Sequence, residues 1–302
     1  MTQAFARGLS DAFLSWLQMD AGRALLDVLA GNGLDVRLRP DYLNVYEAQC
    51  SVAKLEWKPR RRSGELSIHR AHVRGTPLEP TAGTREYCAF QVNEAFVAEY
   101  AAALPAIRAR ASQHHGDEGT LEGRCVNDNL TGTPLLALDR QIALPGERGR
   151  LDVLAVSADP KRPLLVAVEL KQGLNNDIQR VASQTLQYTK LLDPDGAGLR
   201  TDIANAYRRV CSQLRALGRA APEPELIESG MRVAGLVALG SYNSRSDLLA
   251  RARSEASTLD RVIGFCELSV GSAVLPDPET WITAPGSGPG GKGGTGADPG
   301  CP

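Results

Sequence analysis

Two apolar runs joined by a polar turn decide the fold: GRLDVLAV at residues 149–156 and LLVAVELK at residues 164–171. Apolar residues occupy both side-chain faces of each run, which is typical of central strands covered by helices. Charged residues in such strands need a physical reason. Asp152 lies near the start of the first run, and Glu169 and Lys171 lie near the end of the second. Because these two ends are neighbours in an antiparallel hairpin, the three charges are expected at one edge of the sheet.

A symmetric turn predicts the register of this hairpin. If Ser157 faces Leu164, the same pairing places Asp152 opposite Glu169. Directly opposed residues have Cβ atoms about 5 Å apart, and two carboxylates at that distance destabilise a sheet unless a cation lies between them. Glu169 and Lys171 share one face of their strand because side chains alternate. The hairpin therefore predicts that two carboxylates and an ammonium converge.

A hard divalent cation suits this arrangement. Mg²⁺, with Mn²⁺ as an alternative, takes carboxylate, carbonyl and water oxygens. The predicted metal ligands are Asp152 and Glu169, with the Leu170 carbonyl as a further candidate, and Lys171 would orient the attacking water or stabilise negative charge. The alternative is a salt-bridged trio in which Lys171 neutralises both acids without a metal.

The surrounding periodicity predicts a mixed α/β core after a separate N-terminal region. The core is predicted to contain a helix at 117–128, strands at 135–144, 150–157 and 164–171, helices at 177–192 and 200–217, a strand at 231–239, a helix at 246–255 and a strand at 261–269. The N-terminal region is predicted to contain a helix at 9–30, a small antiparallel sheet at 34–74, a linker at 75–84 and a mostly helical stretch at 85–110. We therefore divide the chain into residues 1–110, a core at 111–284, and a disordered Gly/Pro-rich tail at 285–302.

These residues resemble the PD-(D/E)XK nuclease superfamily, in its RecB-like branch, over about residues 115–240. In that family the first acid follows Gly, Arg and a hydrophobic residue, as Asp152 does, and an apolar strand ends in acid-x-Lys, as at Glu169 and Lys171. A Gln followed four residues later by Tyr forms the third motif, which Gln184 and Tyr188 match. No Pro precedes Asp152, which departs from the family name.

The resemblance implies a restriction-endonuclease-like αβββαβ core with a mixed central sheet. It also implies catalytic roles for Asp152, Glu169, Lys171, Gln184 and Tyr188. Many members carry an additional acid on the helix before the sheet. Glu118 fits that position best and would be a metal ligand, with Glu122 as the second choice.

The expected function is metal-dependent hydrolysis of phosphodiester bonds in nucleic acid, with DNA favoured over RNA. The alternative is a catalytically silent module of the same fold that binds DNA or protein. A third possibility is a structural protein of a phage-defence or mobile-element cluster, whose partners decide the activity. A homo-oligomer also remains open.

Charge and composition limit the other classes. The 302 residues contain 34 Lys and Arg against 35 Asp and Glu, so a net charge of -1 provides no general basic field for nucleic acid. A local patch would be needed, and the turn at Arg60, Arg61 and Arg62 is the densest positive segment. The arginines of the helix predicted at 200–217 and just beyond it either line a groove or form an ordinary surface: Arg200, Arg208, Arg209, Arg215 and Arg219.

No apolar run is long enough to span a membrane, and the start of the chain has no signal-peptide core, so we expect a cytoplasmic protein without a membrane partner. The six cysteines are scattered and the four histidines lack zinc-ligand spacing. Reduced thiols and no structural zinc are therefore expected.

Overall fold

The computed structural model describes residues 5–48, 50–81, 83–114, 117–144, 149–172, 180–193, 198–228, 230–241, 247–256, 263–269 and 271–283. The helices are α1 (Asp11–Leu17), α2 (Asp20–Gly31), α3 (Arg70–Val73), α4 (Glu94–Ala111), α5 (Asp117–Asp128), α6 (Val181–Leu192), α7 (Gly198–Ala216) and α8 (Leu248–Ala256). The strands are β1 (Asp35–Arg39), β2 (Tyr42–Glu47), β3 (Cys50–Lys58), β4 (Ser63–His69), β5 (Tyr87–Gln91), β6 (Leu135–Ala143), β7 (Arg150–Ser157), β8 (Leu164–Gln172), β9 (Arg232–Gly240), β10 (Ile263–Leu268) and β11 (Ile282–Thr283).

The strands form two sheets, and the fold is mixed α+β, as predicted. The N-terminal sheet is antiparallel, in the order β1-β2-β3-β4-β5. The second sheet has the order β11-β10-β9-β8-β7-β6. Its strands β6, β7 and β8 are antiparallel, whereas β8, β9 and β10 run parallel. Parallel neighbours need a crossover, which α6 and α7 provide between β8 and β9.

Strand β8 is buried on both faces, as its continuous apolar run predicts. Val166 and Val168 belong to a buried cluster with Leu121 of α5, while Leu165 belongs to a second cluster with Tyr188 of α6. The second cluster continues without a break into the N-terminal helices and sheet. The apolar core is therefore shared by the N-terminal region and the mixed sheet.

The N-terminal sheet covers the free edge of β6. The pairing of β6 with β7 shifts at Leu138, which bulges out of the ladder. Arg37 and Arg39 of β1 are both buried and donate to the carbonyls of Leu138 and Arg140, at 3.1 and 2.7 Å. Arg39 also pairs with buried Asp139 at 2.5 Å. Carbonyls on the edge of β6, which have no neighbouring strand in the described part of the chain, thus accept hydrogen bonds from guanidinium groups.

Two N-terminal predictions are wrong in detail. The single helix predicted at 9–30 is two helices, because Asp20 adopts a positive φ of 34° and turns the chain between α1 and α2. The stretch predicted as mostly helical at 85–110 begins with strand β5, and its helix starts only after Asn93, whose side chain caps α4. The spacing of apolar residues alone predicts neither the turn at Asp20 nor the strand before α4.

Some predicted segments lie outside the described residues. These are the tail at 285–302, the start of the helix predicted at 177, and the first residues of the last predicted strand. No described helix combines the length and apolar character that crossing a membrane requires.

Candidate active site

The hairpin of β7 and β8 has the predicted register. Val153 pairs with Val168, and Val156 pairs with Leu165. The ladder ends at the first of these pairs, so Asp152 and Glu169 occupy the next positions on the two strands. There the backbone amide of Leu170 donates to Asp152 Oδ2 at 2.9 Å, which ties the start of β7 to the end of β8.

Lys171 links two of the carboxylates. Its Nζ lies 3.0 Å from Glu169 Oε1 and 3.5 Å from Glu118 Oε1. Glu169 is 1% exposed and Lys171 is 8% exposed, so this ion pair is largely removed from water. Glu118 is at the rim, with its side chain 39% exposed. The structure therefore brings together acids from β8 and α5 around one ammonium.

One carboxylate oxygen of Glu169 accepts hydrogen bonds, and the other has no hydrogen-bond donor among the described residues. Gln184 Nε2 on α6 donates to Glu169 Oε1 at 2.6 Å, the same oxygen that faces Lys171. Glu169 Oε2 is buried, and no donor among the described residues reaches it. A buried acceptor without a partner is costly, and a cation is one group that would satisfy it.

Burial and mutual repulsion dominate the electrostatics. Burial, followed by the negative charge of Glu169, raises the pKa of Asp152 well above its usual range. Burial also raises the pKa of Glu169, against the lowering influence of Lys171. Burial opposes charge on Lys171, but Glu169, Asp152 and Glu118 outweigh it and raise the Lys171 pKa. Lys171 therefore keeps its proton, while burial opposes ionisation of both acids.

The two acids of α5, Glu118 and Glu122, have different partners. Glu122 is 2% exposed, and Arg140 Nε and Gln141 Nε2 donate to its two oxygens at 2.7 and 2.6 Å. Glu118, one turn earlier, faces Lys171. Sequence reasoning did not identify Arg140 and Gln141, because nothing local marks a polar pair in an apolar strand as partners of a distant helix.

Tyr188 lies against the first motif. It is buried on α6, and a Cβ added to Gly149 would lie 2.6 Å from its hydroxyl oxygen. A side chain at position 149 would therefore require the Tyr188 hydroxyl to shift. The glycine of the first motif is thus explained by the close approach of the third.

The donor set fits a divalent cation only in part. Over the described ranges, no group of three or more His, Cys, Asp or Glu side chains is already arranged to hold a metal ion. Mostly buried Asp152 and buried Glu169, whose Oε2 has no partner among the described residues, remain, and a two-carboxylate set of this kind suits Mg²⁺, which keeps several waters and uses a substrate phosphate. Asp152 and Glu169 are the residues that would hold the ion, with Glu118 and the Leu170 carbonyl beside them.

The predicted basic contacts are partly engaged elsewhere. At the β3–β4 turn, Arg60 and Arg62 are exposed, but Arg61 pairs with Glu65 at 3.4 Å. The described arginines of the α7 region mainly bind the protein itself. Arg208 and Arg209 donate to the Ile227 and Leu9 carbonyls, Arg215 pairs with Glu223 at 2.7 Å, and Arg219 donates to the Leu34 carbonyl at 2.8 Å. Of the two alternatives for these arginines, a groove for nucleic acid gains no support.

Comparisons with protein-family models, with curated proteins and with solved structures found no match for this chain.

Proposed function

We propose that this chain is a metal-dependent nuclease that hydrolyses phosphodiester bonds, with DNA as the favoured substrate. The observation that carries the proposal is mostly buried Asp152 next to buried Glu169 and Lys171, with Glu169 Oε2 left without a donor among the described residues. A structural salt bridge would be expected to satisfy its buried oxygens, whereas a cation site needs free ones.

The order of elements supports the proposal. Helix α5, strands β6, β7 and β8, helix α6 and strand β9 follow in the sequence that a restriction-endonuclease-like αβββαβ core requires, with α7 as an addition. The antiparallel β6–β8 meander and the parallel β8–β9 pair give the mixed sheet. The acids lie where β7 begins and β8 ends, next to the helix that carries Gln184.

The residues have distinct roles in the proposed reaction. A bound Mg²⁺ or Mn²⁺ would supply a water of lowered pKa and would polarise the phosphoryl group. Lys171 keeps its proton because three carboxylates raise its pKa, so it donates a hydrogen bond to the attacking water or to the developing charge and does not act as a base. Gln184 fixes the rotamer of Glu169 by bonding Oε1, which leaves Oε2 directed elsewhere.

A catalytically silent binding module is the second candidate, and two observations favour it. The ammonium of Lys171 already neutralises Glu169, and the described residues contain no preformed metal cluster. In that case the fold would recognise DNA or protein without turnover.

A cleavage assay distinguishes the two. The purified chain is incubated with linear, circular and single-stranded DNA and with RNA, with Mg²⁺, with Mn²⁺ or with EDTA. The nuclease proposal predicts cation-dependent cleavage that Asp152→Asn abolishes and that Lys171→Met slows about a hundredfold or more. Degradation of linear DNA while circular DNA stays intact identifies an exonuclease. Nicking of circular DNA identifies an endonuclease. Binding without cleavage of any substrate in either metal supports the silent module.

A further inference from the structure

Glu122 on α5 forms a second polar cluster, one helical turn from Glu118. Both of its oxygens are engaged: Arg140 Nε donates to Oε1 at 2.7 Å, and Gln141 Nε2 donates to Oε2 at 2.6 Å. Glu122 and Arg140 are 2% and 0% exposed. Charge-assisted bonds at these distances are strong and directional, so the three side chains fix α5 to β6.

Two consecutive strand residues reach the same carboxylate because the strand is distorted there. Successive side chains of a regular strand point to opposite faces. Gln141 has a φ of 50°, in the left-handed region that a glutamine rarely adopts. Its neighbours Arg140 and Ile142 pair with Val153 and Leu151, which places Gln141 across from Asp152. Local strain of this kind persists only where surrounding contacts maintain it.

The N-terminal sheet holds the other side of this cluster. Arg140 Nη1 lies 3.5 Å from Asp35 of β1, and its guanidinium lies over the ring of Tyr46 at 4.8 Å. Arg39 Nη2 bonds the Arg140 carbonyl at 2.7 Å. Helix α5 also touches this sheet directly, since a Cβ on Gly123 would lie 2.7 Å from the Cα of Ala48.

We propose that Gln141 and Arg140 are positioning residues, and that the N-terminal sheet acts through them to hold α5 and the start of β7 in the geometry that the metal site needs. This role rests on the proposed nuclease function. This role gives residues 1–110 a part in the proposed chemistry. They hold α5 in the position that brings Glu118 close to Lys171, and they need not contact the substrate.

The test compares two full-length variants that each lose one side-chain amide, that of partly buried Gln141 or that of buried Gln213. Gln141→Leu removes the amide that donates to Glu122 Oε2. Gln213→Leu is the matched control, because Gln213 is 6% exposed and bonds the backbone of Leu9 at 2.9 and 2.8 Å, away from α5. Two quantities are measured: amide hydrogen exchange of the peptide covering 117–128, and Mn²⁺ affinity by calorimetry. Gln141→Asn, which keeps the amide but shortens its reach, serves if the leucine variant does not fold.

The proposal predicts faster exchange in α5 and about threefold to tenfold weaker Mn²⁺ binding for the position-141 variant, the amount that one lost hydrogen bond represents. Gln213→Leu should lower the melting temperature and change neither readout. Equal exchange in α5 and equal Mn²⁺ affinity for the two leucine variants would overturn the positioning role. Failure of the nuclease proposal looks different: the wild-type chain would then bind Mn²⁺ no better than Asp152→Asn, whatever the exchange data show.

Discussion

Replacing Asp152 by Asn should make the metal-free protein more stable and at the same time inactive. Asp152 is mostly buried, and burial together with the charge of Glu169 raises its pKa well above the usual range. Asparagine keeps an oxygen for the Leu170 amide, which donates to Asp152 Oδ2 at 2.9 Å, but removes the negative charge. The variant should therefore be more stable but less active than the wild type, as expected where like charges are placed together to bind a cation and destabilise the protein without it.

The size of the effect follows from Coulomb's law. Two unit charges about 5 Å apart repel by about 3 kcal/mol at an effective dielectric constant of about 20. Lys171 interacts favourably with both acids and offsets part of this repulsion. We therefore expect Asp152→Asn to gain about 1–2 kcal/mol near pH 8, which corresponds to about 2–3 °C in melting temperature for a chain of this length.

The stabilisation expected from Asp152→Asn should depend on pH. A carboxyl whose pKa is raised on folding binds its proton more tightly in the folded state, so stability is full at low pH and falls as pH rises toward and through the raised pKa. The gain from Asp152→Asn should therefore be present at pH 8 and vanish near pH 4. Asp159→Asn is the matched control, because exposed Asp159 has a lowered pKa, owing first to the bond from the Lys161 backbone amide.

Thermal unfolding of the three proteins at pH 4 and pH 8 in EDTA, and at pH 8 in Mg²⁺, measures these differences. Mg²⁺ should raise the melting temperature of the wild type and not that of Asp152→Asn. The reasoning is refuted if Asp152→Asn lowers stability at pH 8 in EDTA, or if its effect does not depend on pH.

Three further perturbations have defined outcomes. Gly149→Ala should lower the melting temperature, because its Cβ would lie 2.6 Å from the Tyr188 hydroxyl, and it should lower it less when Tyr188 is already replaced by Phe; equal effects in both backgrounds would contradict the contact. Asp139→Asn should cost about 3 kcal/mol in urea unfolding at pH 7, since it leaves buried Arg39 unpaired. Arg39 lowers the pKa of Asp139 despite the opposing effect of burial, so the wild-type advantage should shrink as pH falls below about 4; a constant difference would argue against an ionised Asp139. Lys171→Met should slow cation-dependent cleavage about a hundredfold or more, as loss of one oriented donor does, and unchanged single-turnover rates would remove it from the chemistry.

The mixed sheet was predictable because its signals are local. The apolar run of β8 and the symmetric turn before it are sufficient to place Glu169 next to Asp152, and the structure has that register. Gln184 and Tyr188, four residues apart on α6, both lie against the hairpin, since Gln184 bonds Glu169 and the Tyr188 hydroxyl lies close to Gly149.

What the sequence could not provide depends on contacts between distant segments. Arg37 and Arg39 alternate with apolar residues in β1, a pattern typical of a strand with one solvent-exposed face, yet both are buried. Their environment is created by the bulged edge of β6, about 100 residues later, which no local pattern describes. The same limit applies to the choice between Glu118 and Glu122, which is made by Arg140 and Gln141.

The central claim is that the acids of β7 and β8 bind one divalent cation. Anomalous diffraction from crystals soaked in Mn²⁺ tests it most directly, with Asp152→Asn crystals as the reference. The account predicts one strong peak within about 2.5 Å of carboxylate oxygens from both Asp152 and Glu169, and no peak there in the variant. Mn²⁺ density confined to other acidic side chains, with Glu169 still bonded only to Lys171 and Gln184, would contradict it.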